Sequence, residues 1–340
     1  MPVKPLPAPG TPLKSSVLPT NIAADPAQPL SLVAFFHLCR GFFRAKLNNK
    51  DAIISFGLVT PSIIAVGIFI YGFITWTLRV SLSAWKGLLP DFTWVGQKNY
   101  VELFSDPRFL IDLRNTAIFT FVFVAGALLL GFALALLLDQ NLPGENFFRS
   151  LFLFPMAISY IVTGVVWRWL MNPAEGTRIS GLNQVFAYFG WDWLISRWHT
   201  TPIWGIAAIS LAAIWQMSGF TMALYLGGLR SISDEVREAA RVDGATEWQL
   251  YRHIIIPMLN PVTLSAVIIL GHISLKVFDL IIALAGKQLA LDVPAIYMWQ
   301  ATFDGYFFGR GAAISILLLL IISILIIPYI LYNLRHEADV

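Results

Sequence analysis

Six stretches of the chain carry no Asp, Glu, Lys or Arg: 52–78, 116–138, 150–166, 200–229, 257–275 and 311–334. Most reach the roughly 20 residues that a helix needs to cross about 30 Å of hydrocarbon. Lipid offers no partners to backbone N–H and C=O groups, so each stretch is expected as an α-helix. The runs do not alternate every second residue, which argues against membrane-spanning strands. The pattern therefore predicts an all-α, polytopic membrane protein with six transmembrane helices. Composition agrees, since 57% of the 340 residues are hydrophobic and only 13% are charged, a balance far from that of a soluble globular chain.

The flanks read differently. Residues 1–30 are rich in Pro, Ala and small polar side chains without a long apolar core, and are expected as a disordered tail rather than a cleaved signal peptide. Residues 31–50 mix aromatics and Leu with Arg40, Arg44, Lys46 and Lys50. That mixture suits a basic amphipathic segment at the headgroup level, or equally a flank that orients the first span. Residues 51–335 form the membrane domain, with a short tail at 336–340. The whole-chain tally of Lys and Arg barely discriminates between orientations. The cluster just before the first span favours a cytoplasmic N-terminus, and an even number of spans returns the C-terminus to the same side. Trp85, Trp94, Trp191, Trp193 and Trp198 then fall in outward loops near membrane edges, as interfacial aromatics do. A net charge of +3 gives no case for nucleic-acid binding, and Cys39, the only cysteine, excludes an intramolecular disulfide.

The loop 230–257 breaks the apolar pattern. Ser233 precedes Asp234 and Glu235, which fall in a first helical turn where carboxylates meet the positive end of the helix dipole. Gly244 stops that helix, and Thr246 with Gln249 forms a capping box for a second one. Val236, Ala239 and Ala240 make a small apolar patch among Arg237, Glu238, Arg241 and Asp243. On the residues alone this is either a docking knob, in which alanines admit another backbone and charges set register, or a solvated loop helix.

No catalytic chemistry is visible. A phosphate-cradling G-x-x-x-x-G-K-[ST] is absent: Gly286-Lys287 is followed by Gln288, and Ile281 stands where the first Gly belongs. The five His residues, at 37, 199, 253, 272 and 336, lack ligand spacing. No cofactor, metal or catalytic residue is expected.

Glu238-Ala239-Ala240, three residues, Gly244, nine residues, then Ile254-Ile255-Ile256-Pro257 closely resembles the E-A-A-x3-G-x9-I-x-L-P signature of permease subunits in binding-protein-dependent ABC importers, with Ile256 where Leu is usual. The resemblance extends over about 52–334, through "RSLFLFPMAIS", "GLRSISDEVREAARVDGA" and "KVFDLI". It is similar to the carbohydrate branch represented by maltose-type systems, most of all to glucose/mannose or α-glucoside permeases. It implies that residues 233–246 form a cytoplasmic coupling helix that inserts into an ATP-binding subunit. Glu238, Ala239, Ala240 and Gly244 are then the coupling positions, and Pro257 ends the cytoplasmic helix where span five begins. It implies as partners a second permease subunit, two ATP-binding subunits, an extracytoplasmic sugar-binding protein, a sugar substrate and membrane lipid, in the bacterial cytoplasmic (inner) membrane. The chain departs from many sugar permeases after Phe278-Asp279, where "LAGKQLALDVP" replaces a glycine-rich end. That loop is expected to face the binding protein.

Polar side chains within spans are the remaining candidates. Ser265, His272, Lys276 and Asp279 fall on one face of a continuous span-five helix, either lining the sugar path or, for Lys276 and Asp279, forming an ion pair that fixes packing. Tyr160 and Thr163 in span three and Trp215 and Gln216 in span four offer hydroxyl, amide and aromatic groups suited to a sugar. Ser, Thr and Gly in such helices also serve close packing. Two other classes stand against the permease: an ion-gradient-driven secondary transporter using Lys276, Asp279 and His272 as a relay, and an intramembrane enzyme. The first expects internal repeats between the halves, and none is evident. The second lacks a catalytic pair.

Overall fold

The computed structural model describes residues 50–140, 143–174 and 176–338. The expected tail 1–30 and basic segment 31–50 lie outside the described residues, except for Lys50. The chain divides into two units, 1–68 and 69–340. In the first, α1 (Lys50–Val66) exposes Leu58, Ile63 and Ile64, the surface expected of a helix solvated by hydrocarbon. The helical run Gly57–Ser81 is long and apolar enough to cross a membrane.

The second unit contains α2 (Phe73–Ser81), α3 (Lys98–Phe104), α4 (Pro107–Leu138), α5 (Glu145–Leu153), α6 (Tyr160–Leu170), α7 (Gly181–Tyr188), α8 (Gly205–Ser231), α9 (Asp234–Val242), α10 (Glu247–Leu250), α11 (Ile256–Met258), α12 (Asn260–Leu275), α13 (Asp279–Ala285), α14 (Pro294–Trp299) and α15 (Phe308–Ala338). Three of its helices, α4, α8 and α15 through Pro328, are membrane-length without interruption. The apolar stretches 150–166 and 257–275 lie in bent pairs. Glu145–Ala157 meets Tyr160–Leu170 at 98°, and Glu247–Met258 meets Asn260–Leu275 at 60°. Both bends have local causes. Pro155 enters a tight 3₁₀ turn (Phe154–Ala157), Ile158 and Ser159 are extended, and Ser159 Oγ accepts from Val162 N (3.3 Å) to start α6. Pro257, which has no N–H to donate back along the helix, follows a π-helical turn at Tyr251–Ile255, and Pro261 stands just beyond the second bend.

Helix direction fixes how often the chain crosses. Gly126 lies against Ile214 and Gly131 against Thr221, Thr221 Oγ1 donates to Ala127 O (2.7 Å), and the ends of α4 and α8 share Arg237. α4 and α8 are therefore parallel, so the bent pair between them crosses back once. α12 runs the other way, with Thr263 beside Tyr225 and Ser274 beside Thr120. α15 starts beside the end of α2, through Gly309 N and Trp85 O (3.0 Å). Counting each bent pair as one span gives the six predicted crossings.

The α4–α8 contact is the packing centre. An added Cβ at Gly131 would run into the Thr221 side chain and the Met222 backbone, and one at Gly219 into the Phe152 carbonyl, so these glycines set how closely the helices approach. One buried cluster joins Phe119, Phe123, Ile209, Leu280 and Leu284. A second gathers Leu138, Leu229, Leu250 and Ile255 at the end carrying loop 230–257.

The continuous face expected for span five is not present. α12 ends at Leu275, Lys276 follows as its C-cap, and Asp279 opens α13 after a turn through Val277 and Phe278. Asp279 therefore shares no helix face with Ser265 and His272, and among the described residues Lys276 and Asp279 form no ion pair.

Candidate functional site

α9 is short, acidic in its first turn at Asp234 and Glu235, and basic in its last at Arg241, the charge order that the helix dipole favours. Ser233 takes N-cap backbone geometry but makes no side-chain cap bond. Past the C-terminus Gly244 has φ 83°, and Ala245 N donates to Ala240 O (3.0 Å). No atom lies within 4 Å of where a Cβ would stand on Gly244, so glycine is required there by the left-handed backbone and not by space. The predicted capping box is present: Gln249 N donates to Thr246 Oγ1 (3.4 Å) and Thr246 N to Gln249 Oε1 (2.8 Å). Arg241 Nε donates to Glu247 (2.8 Å) across the glycine break and holds the two helices together.

The apolar patch of α9 does not lie on one exposed face. Ala240 is buried and Val236 half-buried against the cluster of span ends, whereas Glu238 and Ala239 are exposed. Val242, which the sequence reading passed over, is 87% exposed and one turn on from them. Glu238, Ala239 and Val242 thus form the outward face, and Arg237 and Ala240 the anchored one. Pro257 is exposed and lies within α11, just before the 60° bend.

Of the predicted path residues, Tyr160, Thr163 and Gln216 lie at or next to the break in span three, and Asp279 shares a cavity with Tyr160. Tyr160 and Asp279 line a cavity of about 70 Å³ with Phe119, Phe123, Lys276 and Phe278. Thr163 is buried on α6 one turn from Tyr160, beside Gly164, which packs on Ala283 of α13. Gln216 is 2% exposed and its Nε2 donates to Ile158 O (2.6 Å), which satisfies the carbonyl freed by the break. Trp215 lies partly exposed against Trp167, with ring centroids 6.0 Å apart. His272 sits on α12 and does not line the cavity. Tyr160 Oη, Thr163 Oγ1, Gln216 Oε1 and His272 Nδ1 are buried without a protein hydrogen-bond partner, a concentration of free polar capacity that native interiors rarely carry.

The opposite end of the bundle holds a network that sequence reasoning missed. Arg108 forms an ion pair with Asp292, donates to Gln300 Oε1 (2.6 Å) and lies over the Tyr297 ring (4.1 Å). Tyr297 Oη donates to Asp106 (2.6 Å), and Asn115 Nδ2 donates to Ala290 O (3.0 Å) and Asp292 O (2.8 Å). Burial pushes the Asp292 carboxyl up, and the adjacent Arg108 guanidinium offsets part of that. The "LAGKQLALDVP" segment, where the chain departs from the glycine-rich pattern, is thus clamped to the start of α4.

Comparison with known proteins follows the same architecture. A model of the family described as "Binding-protein-dependent transport system inner membrane component" matches residues 127–336. A probable ABC transporter permease protein of Pyrococcus horikoshii is 41% identical over 279 residues, covering 82% of this chain and 94% of that protein. A xylose/arabinose import permease protein of Haloferax volcanii is 33% identical over 277 residues, covering 80% and 86%. A crystal structure of a bacterial ABC transporter involved in the import of the acidic polysaccharide alginate superposes with a TM-score of 0.70 at 22% identity, over 86% of this chain and 99% of the matched one. At that identity it speaks to fold alone.

Proposed function

Because the chain belongs to the family of binding-protein-dependent transport system inner membrane components, we propose that it is the permease subunit of an ATP-driven sugar importer, placed in the cytoplasmic membrane with both termini inside. The observation that carries this reading is the two-faced helix α9. Its outward face of Glu238, Ala239 and Val242 is exposed among the described residues, and its other face is fixed to the ends of the spans. A chain without a phosphate cradle must take its energy from another subunit, and α9 with Gly244 is where that subunit docks. The working assembly comprises a second permease, two ATP-binding subunits and an extracytoplasmic sugar-binding protein. The sugar class is supported by the xylose/arabinose relative together with the maltose-type signature.

The sugar passes close to the break in span three. Tyr160 and Asp279 at the cavity supply a hydroxyl and a carboxylate, Phe119 and Phe278 supply aromatic faces, and these are the groups that hold sugars. Thr163 lies one turn along α6 from Tyr160, Trp215 and His272 stay candidates on α8 and α12, and Gln216 acts through the Ile158 carbonyl that it holds in place. An ion relay through His272, Lys276 and Asp279 would not run along one helix face, because the chain turns after Leu275. The test is ATP hydrolysis by the reconstituted complex, purified with the products of neighbouring genes and assayed with xylose, arabinose, maltose and trehalose. A several-fold rise with a sugar, dependent on the binding protein, supports the reading. Hydrolysis indifferent to every sugar contradicts it.

A further inference from the structure

Asp139 is the C-cap of α4, where a carboxylate meets the negative end of the dipole, a position that a solvated charge does not favour, and Arg237 is the fourth of the nine residues of α9. Together they form an ion pair, Nη1 to Oδ2 at 3.1 Å, with side chains only 17% and 10% exposed. Arg237 Nη2 also donates to Leu229 O (3.0 Å), one of the carbonyls left over in the last turn of α8, which accepts a longer bond from Ile232 N (3.4 Å) as well. One guanidinium therefore ties α9 to α4 and α8 at once. Those two helices are already joined along their length by the Thr221–Ala127 bond and the glycine contacts. Arg230 of α8 extends the grip to α5 through Glu145 (2.7 Å). The planar fork of Arg suits this double task, which a Lys point charge cannot fully reproduce.

We propose that Arg237 is a positioning residue that makes α9 and the α4–α8 pair move as one body, so that displacement of the docked helix becomes displacement of spans two and four. This rests on the docking role of α9 set out above. Pulled by its partner, an α9 held only by apolar contacts with Val236 and Ala240 would slide on the span ends. The buried fork prevents that slippage.

The test uses the assembled complex, with spin labels at Asp234→Cys on α9 and Leu129→Cys on α4 in a Cys39→Ser background, both label sites being exposed. Pulsed electron-paramagnetic-resonance distances are compared without nucleotide and after trapping with Mg-ATP and orthovanadate, and bound ATP-binding subunits are quantified in every sample. With Arg237 intact the distance is expected to be the same in both states. In Arg237→Met, and more mildly in the isosteric Asp139→Asn, it shifts on trapping. The exchange Arg237→Asp with Asp139→Arg restores invariance in part. A purely structural role would lower thermal stability in these variants without making the distance depend on nucleotide. The proposal is overturned if the distance already shifts with Arg237 intact, or if Arg237→Met and Asp139→Asn keep it constant while ATP-binding subunits stay bound. Failure of the intact complex to retain those subunits would instead sink the docking role itself, and this inference with it.

Discussion

Single residues carry two kinds of constraint here, and only one is visible locally. Gly244 stands in open space with φ 83°, so Gly244→Ala is expected to cost about 1–2 kcal/mol through backbone strain alone, and Gly244→Asn less. Thermal unfolding of the purified complex reads the difference. Gln216 is the opposite case, because its value lies in a bond to Ile158 O, 58 residues earlier. Gln216→Leu leaves that carbonyl unpaired in an apolar interior and is expected to cost about 1–3 kcal/mol, seen as a lower unfolding midpoint. A Gln216→Leu protein as stable as the parent would mean that the break in span three stands without this bond. Gly244 and the Thr246–Gln249 box were legible because their partners lie within a few residues. The inward turn of Ala240 and outward turn of Ala239 were not, since the side that a short helix buries depends on where the span ends stand.

At the scale of elements, hydropathy located all six apolar stretches but smoothed over two breaks. Pro155, Pro257 and Pro261 were in plain view, yet a run free of charge reads as one rod whether or not it bends. The α4–α8 contact shows why those two helices pack closely. Gly131→Val would drive a branched side chain into Thr221 and the Met222 backbone, and overpacking of this kind is expected to cost about 1–3 kcal/mol or more. The loop after span five was legible only as a departure from the glycine-rich pattern. Its clamp depends on Arg108 and Asn115, more than 170 residues away in sequence, and no local signal points to them. Asp292→Ala, which strands the Arg108 guanidinium, is expected to destabilise the protein by about 3 kcal/mol. Replacing both partners with apolar residues should cost less, and a double-mutant comparison of unfolding midpoints checks it.

At the scale of the whole molecule, up to six crossings are accompanied by a charged helix pair, α9 and α10, whose outward face is left uncovered among the described residues. On the proposed reading, the exposed Glu238–Ala239–Val242 face is the surface that takes the ATP-binding partner. The most direct measurement is retention of ATP-binding subunits, and the ATP hydrolysis they support, when the complex is isolated through a tag on this chain. The account predicts full retention with the natural sequence and loss of both with Glu238→Lys or Gly244→Trp, while the spans remain folded by circular dichroism. Undiminished retention and hydrolysis in both variants would contradict it.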